Sequence, residues 1–94
     1  SDSWIRRYRI EGLPVVQVYP GLPAHLAGIT GAYRGTRGEV ILGDIITAID
    51  GKAVRSNDDY LDLLEKRQPG DTIQISTRRD KQEKTFKVKL IESQ

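Results

Sequence analysis

Apolar residues fall along this chain in short bursts, separated by glycine, proline and aspartate. No burst exceeds a few residues, so the pattern predicts short elements and holds no membrane span or signal peptide. The first burst, Leu13 to Tyr19, contains Val15, Val16, Val18 and Tyr19. Such β-branched and aromatic side chains suit a strand, and Pro14 places its start at a sheet edge. Pro20-Gly21 turns the chain. Pro23 to Ala27 reads as a short helix, because proline at the first helical position gives up only an amide that would be orphaned anyway. Gly28 stands where a left-handed C-terminal cap is wanted, and Ile29 can fold back on the helix. Thr30 to Gly38 has glycines at 31, 35 and 38, no apolar period and one large side chain, Tyr33, and predicts a loop. Order resumes at Val40 to Leu42. Gly43-Asp44 then leads into a central apolar strand, Ile45 to Ile49, and Asp50-Gly51 leads out.

The second half is more regular. Ser56 and Asp59 have capping-box spacing and open a helix of about ten residues. Tyr60, Leu61, Leu63 and Leu64 form its apolar stripe, and Pro69-Gly70-Asp71 ends it. Thr72 to Arg78 and Lys84 to Ile91 alternate as strands, turning Ile73, Ile75 and Thr77 one way and Phe86, Val88 and Leu90 toward them. The short connection Arg79-Asp80-Lys81-Gln82 makes the pair antiparallel. At the other end, Ser1 to Arg9 reads as a short helix capped by Asp2 or Ser3, with Trp4 and Tyr8 on one face. An extended segment is the alternative there, because Trp, Ile and Tyr also suit strands. Trp4 is expected to anchor the core, and Gly12 breaks the segment.

Composition narrows the picture. Ninety-four residues make one domain. A hydrophobic share of 37% beside 30% charged residues fits a globular chain and argues against disorder. The absence of cysteine removes disulfides, thiolate catalysis and cysteine-based zinc sites. Methionine is absent even at position 1, which suggests a fragment or processed product with sequence missing upstream. Lys and Arg cluster at Arg6, Arg7 and Arg9 and again from Arg78 to Lys89, where they alternate with Phe86, Val88 and Leu90. That alternation describes one solvated strand face, and a net charge of only +2 gives no reason to expect nucleic acid as a partner.

Candidate chemistry is sparse. The single histidine, His25, has no Gly-x-Ser-x-Gly nucleophile to serve and reads as an ordinary surface residue. Asp58, Asp59 and Asp62 fall in the first two turns of the long helix, where negative charge suits the macrodipole. Asp44 and Asp50 sit beside turn glycines and can satisfy backbone amides. No regular oxygen spacing describes a calcium loop. The glycines at 31, 35 and 38 lack the Gly-Lys-Ser/Thr ending of a phosphate cradle. No catalytic residue, metal site or cofactor is expected, and the chain on its own is not an enzyme.

Six short motifs carry a resemblance when taken in order. They are Pro20-Gly21-Leu22-Pro23-Ala24, Ala27-Gly28-Ile29, Gly43-Asp44-Ile45-Ile46, Asp50-Gly51-Lys52-Ala53-Val54, Ser56-Asn57-Asp58-Asp59-Tyr60 and Pro69-Gly70-Asp71. Each is weak alone. Together, over about residues 12–91, the chain resembles the PDZ domains of HtrA/Deg-type, trypsin-like serine proteases. The Gly-rich insertion before Leu42 is similar to the longer loop of some Deg-type members. The resemblance implies one α+β domain over residues 1–94, a PDZ-like small β-sandwich or partly open barrel of about five strands. One long helix and one or two short helices complete it.

Leu22 departs from the usual Ser or Thr cap, Ala53 from the usual proline, and Lys81 from a hairpin glycine. PDZ domains also hold a peptide carboxylate in an apolar-glycine-apolar loop, and no such motif precedes Leu13. That loop and its strand are therefore expected to be truncated, or represented by a divergent Trp4-Ile5-Arg6. The long helix of a PDZ domain lines the peptide groove through its first, fifth and eighth residues, here Asn57, Leu61 and Leu64. The implied function is recognition of C-terminal or unfolded hydrophobic segments by β-augmentation, in which a peptide adds a strand to a sheet edge. Implied partners are peptide or unfolded protein and a protease domain of the same parent, a homo-oligomer in the periplasm or another extracytoplasmic space. The alternatives are a structural interaction domain that binds no free peptide, or the PDZ domain of a site-2 metalloprotease or C-terminal processing peptidase.

Overall fold

The computed structural model describes residues 12–91. The expected Ser1–Arg9 helix, the core role of Trp4 and the Trp4-Ile5-Arg6 loop lie outside them. In chain order the elements are β1 (Leu13–Pro14), α1 (Pro23–Ala27), β2 (Tyr33–Arg34), β3 (Val40–Ile41), β4 (Ile45–Ile49), β5 (Lys52–Ala53), α2 (Asn57–Glu65), β6 (Thr72–Arg79) and β7 (Gln82–Lys89).

The apolar run Ile45–Ile49 is the middle of the main sheet because strands cover both of its edges. β6 takes one edge and pairs in turn with β7. β1 and β5 share the other, β1 against Ile45 and Ile46 and β5 against Ala48 and Ile49. All pairings are antiparallel. A bulge between Ile46 and Ala48 breaks the β4–β6 register at Thr47. The architecture is α+β, as the motifs imply, and the sheet does not close into a barrel.

Alternation sets the core. Ile73, Ile75 and Thr77 are buried on β6, opposite Val88 on β7. Ile46 and Ile49 from β4, Val54 after β5 and Ile29 after α1 complete the buried set. Tyr60, Leu63 and Leu64 of α2 pack against it. Leu61 does not, and stays 47% exposed.

The helix ends behave as their residues dictate. Gly28, at φ 102°, donates its amide to the His25 carbonyl and Ile29 donates to that of Ala24, the paired bonds of a Schellman cap. No side chain caps the other end at Leu22. For α2, the Ser56 hydroxyl accepts from the Asp59 amide at 3.2 Å. The Asp59 carboxylate reaches past Ser56 to the Arg55 amide at 3.0 Å, so the capping box is displaced by one residue.

Three expectations need correction. The first strand is paired only at Leu13–Pro14. Val15 sends its amide to the Asp44 carbonyl and accepts from Ala32, and beyond it β4 offers no more edge. The expected loop at Thr30 to Gly38 contains β2, which forms a small hairpin with β3. Strands of two residues are too short for any period to show in sequence. The last hairpin closes earlier than expected, at Arg79↔Gln82, leaving Asp80-Lys81 as a two-residue turn. Both turn residues have positive φ, 50° and 67°, the signature of a type I′ turn.

Candidate functional site

A wide opening among the described residues lies between the chain leaving β1 and the start of α2. It measures about 690 Å³, within the usual range for ligand clefts. Leu13, Pro14 and Val15 line one wall, continued by Val16, Gln17 and Tyr19. Asn57, Asp58 and Tyr60 line the other, and Ile46 of β4 also contributes. Local structure explains each wall. Residues 16–19 follow the last paired strand residue, and their amides meet no backbone acceptor among the described residues. Val16 stands 72% exposed, although valine favours burial. The Ser56 cap fixes where α2 begins and so sets the first turn, with Asn57 and Asp58, beside this segment.

The groove is apolar along Leu13, Val15 and Ile46 and polar at the helix end. Burial pushes the Tyr60 hydroxyl above the usual phenol range, so it remains a neutral donor and acceptor. Asp58 is the one formal charge among the described lining residues. Of the three positions that the resemblance implies, Asn57 lines the cavity. Leu61 is exposed one turn further along α2, and Leu64 is half-buried against the core. At spacings of four and three, Asn57, Leu61 and Leu64 form one helical stripe. Tyr60 and the 13–19 segment were not picked out from sequence as groove walls. The only available signal was that Tyr60 lies three residues after Asn57.

A second constellation holds the scaffold behind the groove. Asp44 is 1% exposed. Its carboxylate accepts from the Thr30 amide at 2.7 Å, the Thr77 hydroxyl at 2.9 Å and the Arg79 guanidinium at 3.1 and 2.6 Å. Arg79 also donates to the Gly28 carbonyl at 3.1 Å, tying the end of α1 to β6. Burial alone would raise the Asp44 pKa. The bonds from Arg79, Thr30 and Thr77, with the Arg79 charge, outweigh it and hold the carboxyl below its ordinary value. The neighbouring Gly43 has no room for a side chain, because a Cβ there would collide with the carbonyls of Thr30 and Gly31. Asp50 likewise serves the fold, accepting from the Gln74 amide at 2.8 Å and pairing with Arg67 at 2.6 Å. His25 is exposed and accepts from the Gly21 amide through Nδ1. Among the described residues no three His, Asp or Glu side chains converge as metal ligands would.

Comparison with known proteins agrees with this geometry. The PDZ domain family profile matches residues 4–90. The chain belongs to the PDZ domain family. This PDZ domain is 28% identical over 89 residues to Protease Do-like 1, chloroplastic, of Arabidopsis thaliana, covering 95% of the chain. It is 32% identical over 82 residues to Protease Do-like 8, chloroplastic, of the same plant, covering 87% of the chain. It spans only 20% and 18% of the lengths of those two relatives. Among solved structures, it resembles the PDZ domain of an SdrC-like protein from Listeria monocytogenes (TM-score 0.68, 26% identity, 87% of this chain and 74% of that one). A Geobacillus thermodenitrificans solution structure is similar as well (TM-score 0.67, 25% identity, 88% and 82%). No helix among the described residues is long and apolar enough to cross a membrane.

Proposed function

We propose that this PDZ domain captures extended hydrophobic or C-terminal polypeptide segments in the groove between residues 13–19 and α2. The observation that carries this reading is the groove itself, where an open cleft runs between a segment without ladder partners among the described residues and a capped helix. A bound segment would pair its backbone with residues 16–19 and lay alternate side chains toward α2, as β-augmentation requires. Asn57, Leu61 and Leu64 are the proposed contacts from the helix, with Tyr60 between them. The two Do-like relatives are named as proteases. On that likeness, the parent of this domain is proposed to be a trypsin-like serine endopeptidase that uses it to hold unfolded substrates, in protein quality control. A homo-oligomeric parent in an extracytoplasmic compartment belongs to the same proposal. Coupling of peptide binding to proteolysis would require different peptide affinities in the two enzyme states.

The test is a titration of the ¹⁵N-labelled chain with peptides that end in a hydrophobic residue. Shifts should concentrate at residues 15–19 and 57–64, and Leu61→Asp should weaken binding about tenfold, equivalent to roughly 1.4 kcal/mol. Binding that leaves these residues unshifted, or that Leu61→Asp does not affect, would sink the proposed groove.

A further inference from the structure

A smaller cavity of about 180 Å³ opens elsewhere on the molecule, lined by Gly12, Thr47, Ala53, Val54, Arg55 and Arg78. It shares no described lining residue with the peptide groove. Topology creates it. β1 and β5 share one edge of β4 without meeting, and Thr47 lies in the gap between them. The bulge in the β4–β6 register falls at the same residue, whose hydroxyl donates to the Ser76 carbonyl at 3.2 Å. Arg55 lies two residues beyond β5, and Arg78 belongs to β6.

The chemistry of this niche is one-sided. Two arginines line it, and no acid does among the described residues. The ion pairs among the described residues are Arg67–Asp50 and Arg79–Asp44, so neither Arg55 nor Arg78 is matched there. Glu83 stands opposite Arg78 in the β6–β7 ladder without forming an ion pair with it. Nor does the backbone offer a phosphate cradle. The Val54 amide is taken by the Thr47 carbonyl, and the Arg55 amide by the Asp59 carboxylate. What remains is a pair of arginine side chains, whose planar forks are the groups suited to take a carboxylate bidentately. The volume falls below the ~300–1,000 Å³ typical of small-molecule clefts and suits a single side chain.

We propose that this niche is a second binding site, which takes an acidic side chain, glutamate or aspartate, presented by a partner polypeptide. The site stands independently of the peptide groove, so each can fail without the other.

The experiment titrates the 94-residue, ¹⁵N-labelled chain at low ionic strength with the end-blocked peptide Gly-Glu-Glu-Glu-Gly. Low salt is needed because the Debye length shrinks from ~30 Å at 0.01 M to ~10 Å at 0.1 M. Shifts should map to Thr47, Ala53–Arg55 and Arg78. The double variant Arg55→Gln/Arg78→Gln should lose affinity at least about tenfold, and the Gln-for-Glu peptide should not bind. Lys87→Gln/Lys89→Gln removes the same charge from the exposed strand face and should change affinity less than about twofold. Equal losses from the two double variants would reduce the effect to net charge and overturn the proposal. So would shifts spread along β7. Inorganic phosphate displacing the peptide at equal concentration would make the niche a small-anion site and overturn the polypeptide occupant.

Discussion

At the residue scale, Asp44 carries the largest electrostatic load. Asp44→Ala strands the Thr30 amide and the Thr77 hydroxyl and leaves Arg79 without its partner. Breaking a buried pair from one side typically costs ~3–5 kcal/mol. Arg79 keeps 27% of its side chain in solvent, so the lower end is expected, about 3 kcal/mol. Urea unfolding should show it as a lower midpoint at unchanged m. The folded pKa of Asp44 lies below its ordinary 3.8. The stability it contributes is therefore complete above the unfolded value and is lost as pH falls through the folded one. Stability curves should bend downward below about pH 4, and Asp44→Asn should flatten that bend. Asp44 was legible as an amide-satisfying turn residue. Its bond to Arg79 was not, because the two lie 35 residues apart and only the sheet brings them together.

At the element scale, two hairpins show how turn chemistry sets geometry. The β4–β5 turn uses Asp50-Gly51, with φ of 49° and 81°. The β6–β7 turn uses Asp80-Lys81 in nearly the same conformation. A lysine held at φ 67° is strained by roughly 1–2 kcal/mol, of which glycine's greater chain entropy takes back ~0.5–1. Lys81→Gly should therefore raise stability by about 0.5–1 kcal/mol and Tm by a few degrees. Differential scanning calorimetry reads this directly, and an unchanged or lower Tm would contradict it. The cap of α2 gives the complementary case. Ser56→Ala removes the acceptor of the Asp59 amide and should cost about 1 kcal/mol. Because the same cap sets the first turn of α2 beside the groove, the loss should appear in peptide affinity as well as in chemical denaturation.

At the scale of the whole molecule, stability should be uneven. β6 and β7 pair along eight positions and bury Ile73, Ile75, Thr77 and Val88 between sheet and helices. Residues 16–19 have no ladder partner among the described residues. Amide exchange should be slowest on β6 and β7 and fast from Val16 to Tyr19, with the latter slowed by a groove peptide. A peptide present at a hundred times its Kd should add about 2.7 kcal/mol to stability, and a melting temperature independent of peptide concentration would contradict binding. Sequence alone determined the family motifs, the central strand, the Ser56 cap, the short helix with its glycine stop, and the in-out alternation of β6 and β7. These are local, set by backbone preference and by periods of two or 3.6 residues. Tertiary structure decided the rest. It decided that Val15 through Tyr19 would stand beside α2 as a groove wall, because β4 ran out of edge. It decided that Thr30 to Gly38 would hold a small hairpin. It also decided that Arg79 would be buried in part against Asp44, while Arg78, its neighbour, turned to the opposite face. A pleated strand sends adjacent residues to opposite sides, and which side meets an acid or an open cavity depends on partners distant in sequence.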